Sequence, residues 1–172
     1  MSNHNAFLLN LVNSVPAQFA VARWMHMKGF DISIDGFKYA PDVGYDEYSD
    51  DGDITTPKGI VDVKHLQSNN FTDVFDHGYD SAVAGFKLSI DKLLAKGLYA
   101  SIFVSTSMKH AYIVKASTKD QWTVKDMPDK VTKLWKPSYM ADFSLCCFID
   151  LQTIPKDIKA AITVLDEQLP FK

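Results

Sequence analysis

The chain lacks most features that announce a membrane, a secretory route or a nucleotide. It has two cysteines, Cys146 and Cys147, and they are adjacent. Neighbouring strand residues point to opposite faces, which argues against a disulfide framework and for burial as small hydrophobes in a reducing cytosol. No apolar run approaches the roughly 20 residues that span a bilayer. The short run from Phe7 to Val12 has no basic leader, so no signal peptide is expected. Internal repeats, low-complexity tracts, helix-turn-helix patterns, zinc modules and glycine-rich phosphate loops are all missing. Net charge is only −3, so the whole-chain field does not mark a nucleic-acid binder. What is present is ordinary globular composition, 47% apolar and 23% charged over 172 residues. That excludes global disorder and suffices for one domain, 1–172, with a full core.

The charge is unevenly spread. Asp31 to Ile54 holds eight acids and one lysine, a local −7, while Lys109 to Lys136 holds seven lysines and three aspartates, a local +4. Such a division suits a protein that gathers cations at one place and phosphates at another. It equally describes charged loops facing water.

Periodicity and punctuation predict the elements. Asn5 to Val12 reads as helix, and a second or kinked helix runs from Ser14, a cap, to Lys28, with Gly29 as its stop. Phe30 to Ile34 alternates as a strand, Asp35-Gly36 is a turn, and Phe37 to Ala40 is its partner or a loop. Pro41 to Asp53 is an acidic loop, and Gly59 to Leu66 is a clear strand. A helix is expected from Asp80 to Lys96, carrying Val83, Phe86, Ile90, Leu93 and Leu94 on one face. Leu98 to Thr106 is continuously apolar and so central, followed by strands at Ala111 to Ala116 and Gln121 to Val124. A short helix over Asp129 to Trp135, a strand over Phe143 to Leu151 and a helix over Pro155 to Leu165 close the chain. A strand on each side of a helix implies a parallel crossover, and hence an α/β fold with one mixed sheet between helices.

The chemistry concentrates in Asp53 and in Asp62-Val63-Lys64. Strand alternation puts Asp62 and Lys64 on one face with Ile60 and Leu66, and Val61 and Val63 on the other. Two ionic groups between aliphatics are costly unless they serve each other or a ligand. Two carboxylates from neighbouring strands are the protein share of a Mg²⁺ site, because that ion takes oxygen ligands and keeps several waters. A lysine two residues on can stabilise phosphate charge or orient a water. The competing reading is a structural Asp62–Lys64 pair.

These residues, with a helix carrying Gln18 before them and a helix after them, resemble the PD-(D/E)xK nuclease superfamily. That group includes restriction-enzyme-like, repair and phage nucleases. The resemblance covers roughly Ser14 to Thr106. It implies a restriction-endonuclease-like mixed β-sheet flanked by helices on both faces. It gives Asp53 and Asp62 as metal-binding acids, the Val63 carbonyl as a further ligand, and Lys64 as the catalytic lysine. The expected activity is hydrolysis of DNA by a cytoplasmic enzyme with Mg²⁺, for which Mn²⁺ can substitute. Two departures stand out. Gln18 occupies a helix position where many members carry a Glu, and Gly52 stands where a proline would precede Asp53. Asp50 and Asp51 are rivals for the Asp53 role. The alternative function is a catalytically silent member of the fold that binds DNA or acts in assembly. The oligomeric state is open, a homodimer included.

Secondary candidates surround the motif. Gln67 follows Lys64 closely, His65 faces away from Asp62, and Asp76 and His77 lie in the next loop. Ser105, Thr106 and Ser107 end the central strand, with Lys109 and His110 just beyond. Lys115, Lys119, Lys125, Lys130, Lys133 and Lys136, with Trp122, Trp135 and Tyr139, form a basic and aromatic segment that could position DNA through its phosphates.

Overall fold

A computed structural model describes residues 3–34, 52–73, 76–129 and 133–152. The elements run α1 (Asn3–Met27), β1 (Ile54–Thr56), β2 (Gly59–His65), β3 (Ala82–Phe86), α2 (Lys87–Ala95), β4 (Leu98–Val104), β5 (His110–Lys115), β6 (Thr123–Pro128), β7 (Trp135–Ala141) and β8 (Cys146–Asp150). They build a five-stranded sheet in the order β1-β2-β4-β5-β8 and a three-stranded sheet in the order β3-β7-β6. The larger sheet is mixed. β2 and β4 are parallel, and its other pairs are antiparallel.

The β1–β2 hairpin turns on Pro57-Lys58. Thr56 Oγ1 closes it, accepting from the Lys58 N–H at 3.1 Å and donating to the Gly59 carbonyl at 2.8 Å. Gly59 has φ +126°, and a Cβ there would lie 2.3 Å from the Gly97 carbonyl. Only glycine lets β2 start this close to the chain entering β4.

Each face of the larger sheet carries its own core. On one, Ala17, Val21, Ala22 and Met25 of α1 pack on Ile54, Val61, Val63, Ile102, Val104 and Ala111. On the other, Leu98, Phe103, Tyr112 and Val114 meet Ala82, Ala84, Ile90, Leu93, Tyr139 and Ala141 from the smaller sheet and α2. Burial of each large side chain contributes roughly 1.5–3 kcal/mol, so β4, apolar toward both layers, is the mechanical centre.

Several expectations are corrected. There are two sheets rather than one, and the second layer is a small sheet with a short helix. α1 is a single helix that continues through Pro16. The lost hydrogen bond and ring clash cost about 3 kcal/mol, which the burial of Ala17, Val21, Ala22 and Met25 offsets. In the segment Phe30 to Ile34, Ser33 alone pairs among the described residues, as a bridge to Thr55. The stretch Asp80 to Lys96 divides into strand β3 and helix α2. Ala82 and Ala84 are wholly buried, and Gly85 at φ +130° lies against Ile90 of α2. Those small residues let β3 pack closely on its own following helix, so Asp80 caps nothing. Asp129 to Trp135 is not helical where described. Asp129 is buried and ion-paired to Lys136, Lys133 takes φ +61°, and Trp135 opens β7. Both cysteines are free, and Cys147 is exposed rather than buried. Expectations for Asp35-Gly36, Phe37 to Ala40, Pro41 to Asp51 and Pro155 to Leu165 lie outside the described residues. Among the described residues, no helix is long and apolar enough to cross a membrane.

Candidate functional site

β2 supplies three consecutive residues of the site. Val61 and Val63 are buried under α1. Alternation therefore sends Asp62 and Lys64 to the opposite face, where Asp62 lies in register with Ser101 and Lys64 with Phe103 of β4. Asp62 Oδ1 accepts a hydrogen bond from Lys64 Nζ at 2.7 Å. The Asp62 side chain is 1% exposed and that of Lys64 is 44% exposed. A carboxylate this deep costs several kcal/mol without compensation, and the half-exposed Lys64 supplies it.

Asp53 lies in the plane of the sheet. Its N–H donates to the Val61 carbonyl at 3.1 Å, continuing the hairpin ladder. Its Oδ2 accepts from the Val63 N–H at 2.6 Å, and its Oδ1 accepts from Gln18 Nε2 at 2.6 Å. The carboxylate thus takes the place that another residue of β1 would occupy opposite β2. The N–H and C=O of one strand residue point to the same side, so the Val63 carbonyl also looks toward Asp53. Gln18 reaches Asp53 from α1, is 3% exposed, and lies 3.4 Å from Ser14 Oγ through the same Nε2. Its role is that of a donor holding an anion. A glutamate there would set two carboxylates in contact.

The sheet therefore brings Gln18, Asp53 and Val63 into one hydrogen-bonded group, and Asp62 with Lys64 into a second. The two groups are joined because Val63 lies between Asp62 and Lys64 on the chain. The oxygens on offer are the carboxylates of Asp53 and Asp62, the Val63 carbonyl and the Gln18 amide oxygen. A set of only hard donors fits Mg²⁺ or Mn²⁺ and does not suit a soft metal. Among the described residues no three or more His, Cys, Asp or Glu side chains gather around one point. Mg²⁺ needs no such cage, since one or two carboxylates suffice when it retains waters.

Ser101 is a residue the motif did not reveal. It is wholly buried, and its Oγ has no hydrogen-bond partner among the described residues, although its register places it beside Asp62. The one signal in the sequence was a lone serine inside the largely apolar run Leu98 to Val104.

The secondary candidates are mostly structural. Asp76 binds the N–H groups of Thr72 and Asp73 and the Thr72 hydroxyl, which holds its carboxyl below the usual range. His77 is buried among Phe71, Tyr79, Tyr112, Phe143 and Phe148, with ring centroids 5.0–6.2 Å away. Burial pushes its pKa down, and Asp76 opposes that only in part. His65 Nε2 lies 3.4 Å from the Thr106 carbonyl, and the Thr106 hydroxyl donates to the Leu66 carbonyl at 2.7 Å. Ser105 and Ser107 hydroxyls are 3.2 Å apart. These contacts tie together the ends of β2 and β4. Gln67 is exposed in the turn after β2. Leu151 donates to the Lys109 carbonyl, and His110 begins β5. In the basic segment Trp122 is largely buried and donates to Thr118 Oγ1, Lys136 pairs with Asp129, and Trp135 is 70% exposed.

No protein-family model, curated protein or solved structure matches the chain.

Proposed function

We propose that the protein is a Mg²⁺-dependent deoxyribonuclease of the cytoplasm, using Asp53, Asp62 and Lys64. The observation that carries the reading is the junction at Val63. There a fixed carboxylate, Asp53, meets the strand that also holds a deeply buried Asp–Lys pair. The order of α1, the β1–β2 hairpin, α2 and the parallel β4 supports this reading, while β3, the strand before α2, pairs in the smaller sheet.

In this mechanism Asp53, Asp62 and the Val63 carbonyl would hold the ion. When bound, Mg²⁺ supplies charge neutralisation at the phosphate, a more acidic water and help for the leaving alkoxide. Gln18 positions Asp53 through its N–H and leaves that carboxylate anionic. Lys64 is anchored to a buried aspartate, yet its side chain is half-exposed, and its ammonium could turn from Asp62 to a phosphate oxygen and stabilise charge there. The aliphatic and aromatic layer under β2 keeps Asp62 from water, which strengthens its hold on any cation.

A second reading has its own observation. Asp62 is already paired with Lys64, and Gln18 brings no charge, so the same fold could bind DNA or assemble with partners without cutting. One experiment separates the two. Supercoiled, linear and single-stranded DNA are incubated with Mg²⁺, Mn²⁺ or EDTA, using the native chain, Asp62→Asn and Lys64→Ala. Cleavage that needs the metal and falls at least about 100-fold in both variants supports the enzyme. Cleavage surviving both removes Asp62 and Lys64 from the chemistry, and binding without cleavage supports the silent member.

A further inference from the structure

We propose that the β6–β7 hairpin is a binding arm for single-stranded nucleic acid, with Trp135 as its base-stacking platform. β6 is the outer strand of the smaller sheet, and every residue from Thr123 to Asp126 is exposed. Trp135 is 70% exposed and Val124 is 54% exposed. A large indole left in water at the start of a strand adds little to this fold. Trp122, close by in the chain, shows the structural alternative, being 9% exposed with its centroid 5.7 Å from the Tyr139 ring.

The pairing register sorts the hairpin into two faces. Pro128 opposes Trp135, Asp126 opposes Pro137 and Val124 opposes Tyr139, so these six share one face. Cations border it, with Lys119 Nζ 4.3 Å and Lys87 Nζ 5.4 Å from the Tyr139 ring centroid. Lys125 and Lys136 stand on the reverse face, and Lys133 lies just before Leu134 and Trp135. The arm therefore offers one open indole, Trp135, beside exposed Val124, at the edge of the buried Tyr139 and within the stretch whose net charge is +4.

That pairing of features selects the ligand. An exposed indole can stack only on a base that is itself unstacked, which favours a single strand over a duplex. Lys87 and Lys136 are paired with Asp91 and Asp129, so Lys119, Lys125 and Lys133 are the lysines that suit a phosphate backbone, whereas protein interfaces are depleted in lysine at their centres. The arm also lies on the working side of the main sheet. Lys64 is in register with Phe103, and Phe103 shares its core with Tyr139 and Ala141 of β7. The purpose of the arm rests on the nuclease reading, but its binding is measured separately.

The test uses the full chain carrying Asp62→Asn, in EDTA, titrated with an oligothymidylate of about 12 nucleotides and with a duplex of equal length. The single strand is expected to quench tryptophan fluorescence saturably and to bind more tightly than the duplex. Trp135→Ala should weaken binding roughly 5- to 150-fold, the worth of one stacked base. Lys125→Ala and Lys133→Ala should each lower the salt dependence by about 0.7 in log–log slope. Trp135 contributes little to the core, so Trp135→Ala should keep its far-ultraviolet spectrum. Equal binding by Trp135→Ala overturns the proposal. So does a Trp135→Ala effect confined to self-association in sedimentation, which would make the arm a protein interface. In the chain without the Asp62 substitution, absent cleavage beside Trp135-dependent binding removes the nuclease and leaves the arm. Metal-dependent cleavage beside Trp135-independent binding does the reverse.

Discussion

Gln18→Glu tests the candidate metal site without requiring any turnover. Gln18 Nε2 donates to Asp53 Oδ1 at 2.6 Å, and the glutamine is 3% exposed. The substitution keeps the shape, removes a hydrogen bond to a charged group and places a second carboxylate against Asp53. Loss of such a bond costs about 1.5–3 kcal/mol, before like-charge repulsion is added. At about 2 kcal/mol, and about 2–4 °C per kcal/mol for a chain of this size, the melting temperature in EDTA should fall by about 4–8 °C. A divalent cation reverses the sign, because the added carboxylate becomes a ligand. Mg²⁺ at about 100 times its dissociation constant stabilises by about 2.7 kcal/mol, enough to erase the deficit. The assay is thermal unfolding in EDTA and across a Mg²⁺ titration, with Gln18→Leu as control. Gln18→Leu loses the same hydrogen bond but adds no ligand, so Mg²⁺ should not restore it selectively. If Gln18→Glu stays as unstable in saturating Mg²⁺ as in EDTA, no cation binds beside Asp53, and if Gln18→Leu is rescued equally, the side chain at position 18 is not a ligand.

Two further perturbations address the scaffold. Burial lowers the His77 pKa from its ordinary 6.5, so as pH falls the unfolded chain takes up the proton first. Its contribution is full above that value and is lost as pH drops from 6.5 through the folded value. His77→Phe should therefore narrow the difference between urea midpoints at about pH 7.5 and about pH 5.5, and an unchanged difference would assign acid sensitivity to other groups. Gly59→Ala would drive a Cβ to 2.3 Å from the Gly97 carbonyl at a φ of +126°. A loss of about 2–3 kcal/mol is expected in urea unfolding, and a near-neutral result would mean that the hairpin turn can shift freely.

The parts legible in the sequence were those where local pattern and tertiary pairing agree. Val61 and Val63 alternate with Asp62 and Lys64, and a proline turn precedes them, so the strand and its two faces could be read directly. Asp80 to Lys96 misled because Val83, Phe86, Ile90 and Leu93 fit a helical period. The deciding facts were non-local. Ala82 and Ala84 belong to the second layer and pack in the core between the sheets, and β3 needs β7 as its partner. β7 was itself hidden, since Trp135 to Ala141 contains a proline and no clean alternation. At the site, chemistry was legible and geometry was not. Gln18 reads as a missing acid in the sequence, and its N–H bond to Asp53 shows why an amide suits that position. Ser101 could not be assigned a neighbour until the parallel register set it beside Asp62. The aromatic cage of His77 draws on Phe71, Tyr112, Phe143 and Phe148, which only folding brings together.

The parallel pairing of β2 with β4 also orders events in time. β1 and β2 can close as a hairpin from adjacent residues, a microsecond process. Asp62 gains its wall only when Ser101 and Phe103 arrive, after β3 and α2 have been synthesised and the crossover has closed. Closing so long a loop is an entropic cost met before the contacts reward it. A nascent chain that ends before Leu98 thus carries Asp53, Asp62 and Lys64 without the environment that binds Asp62 to Lys64 in a dry setting. The walled setting of Asp62 therefore requires the central strand to be complete.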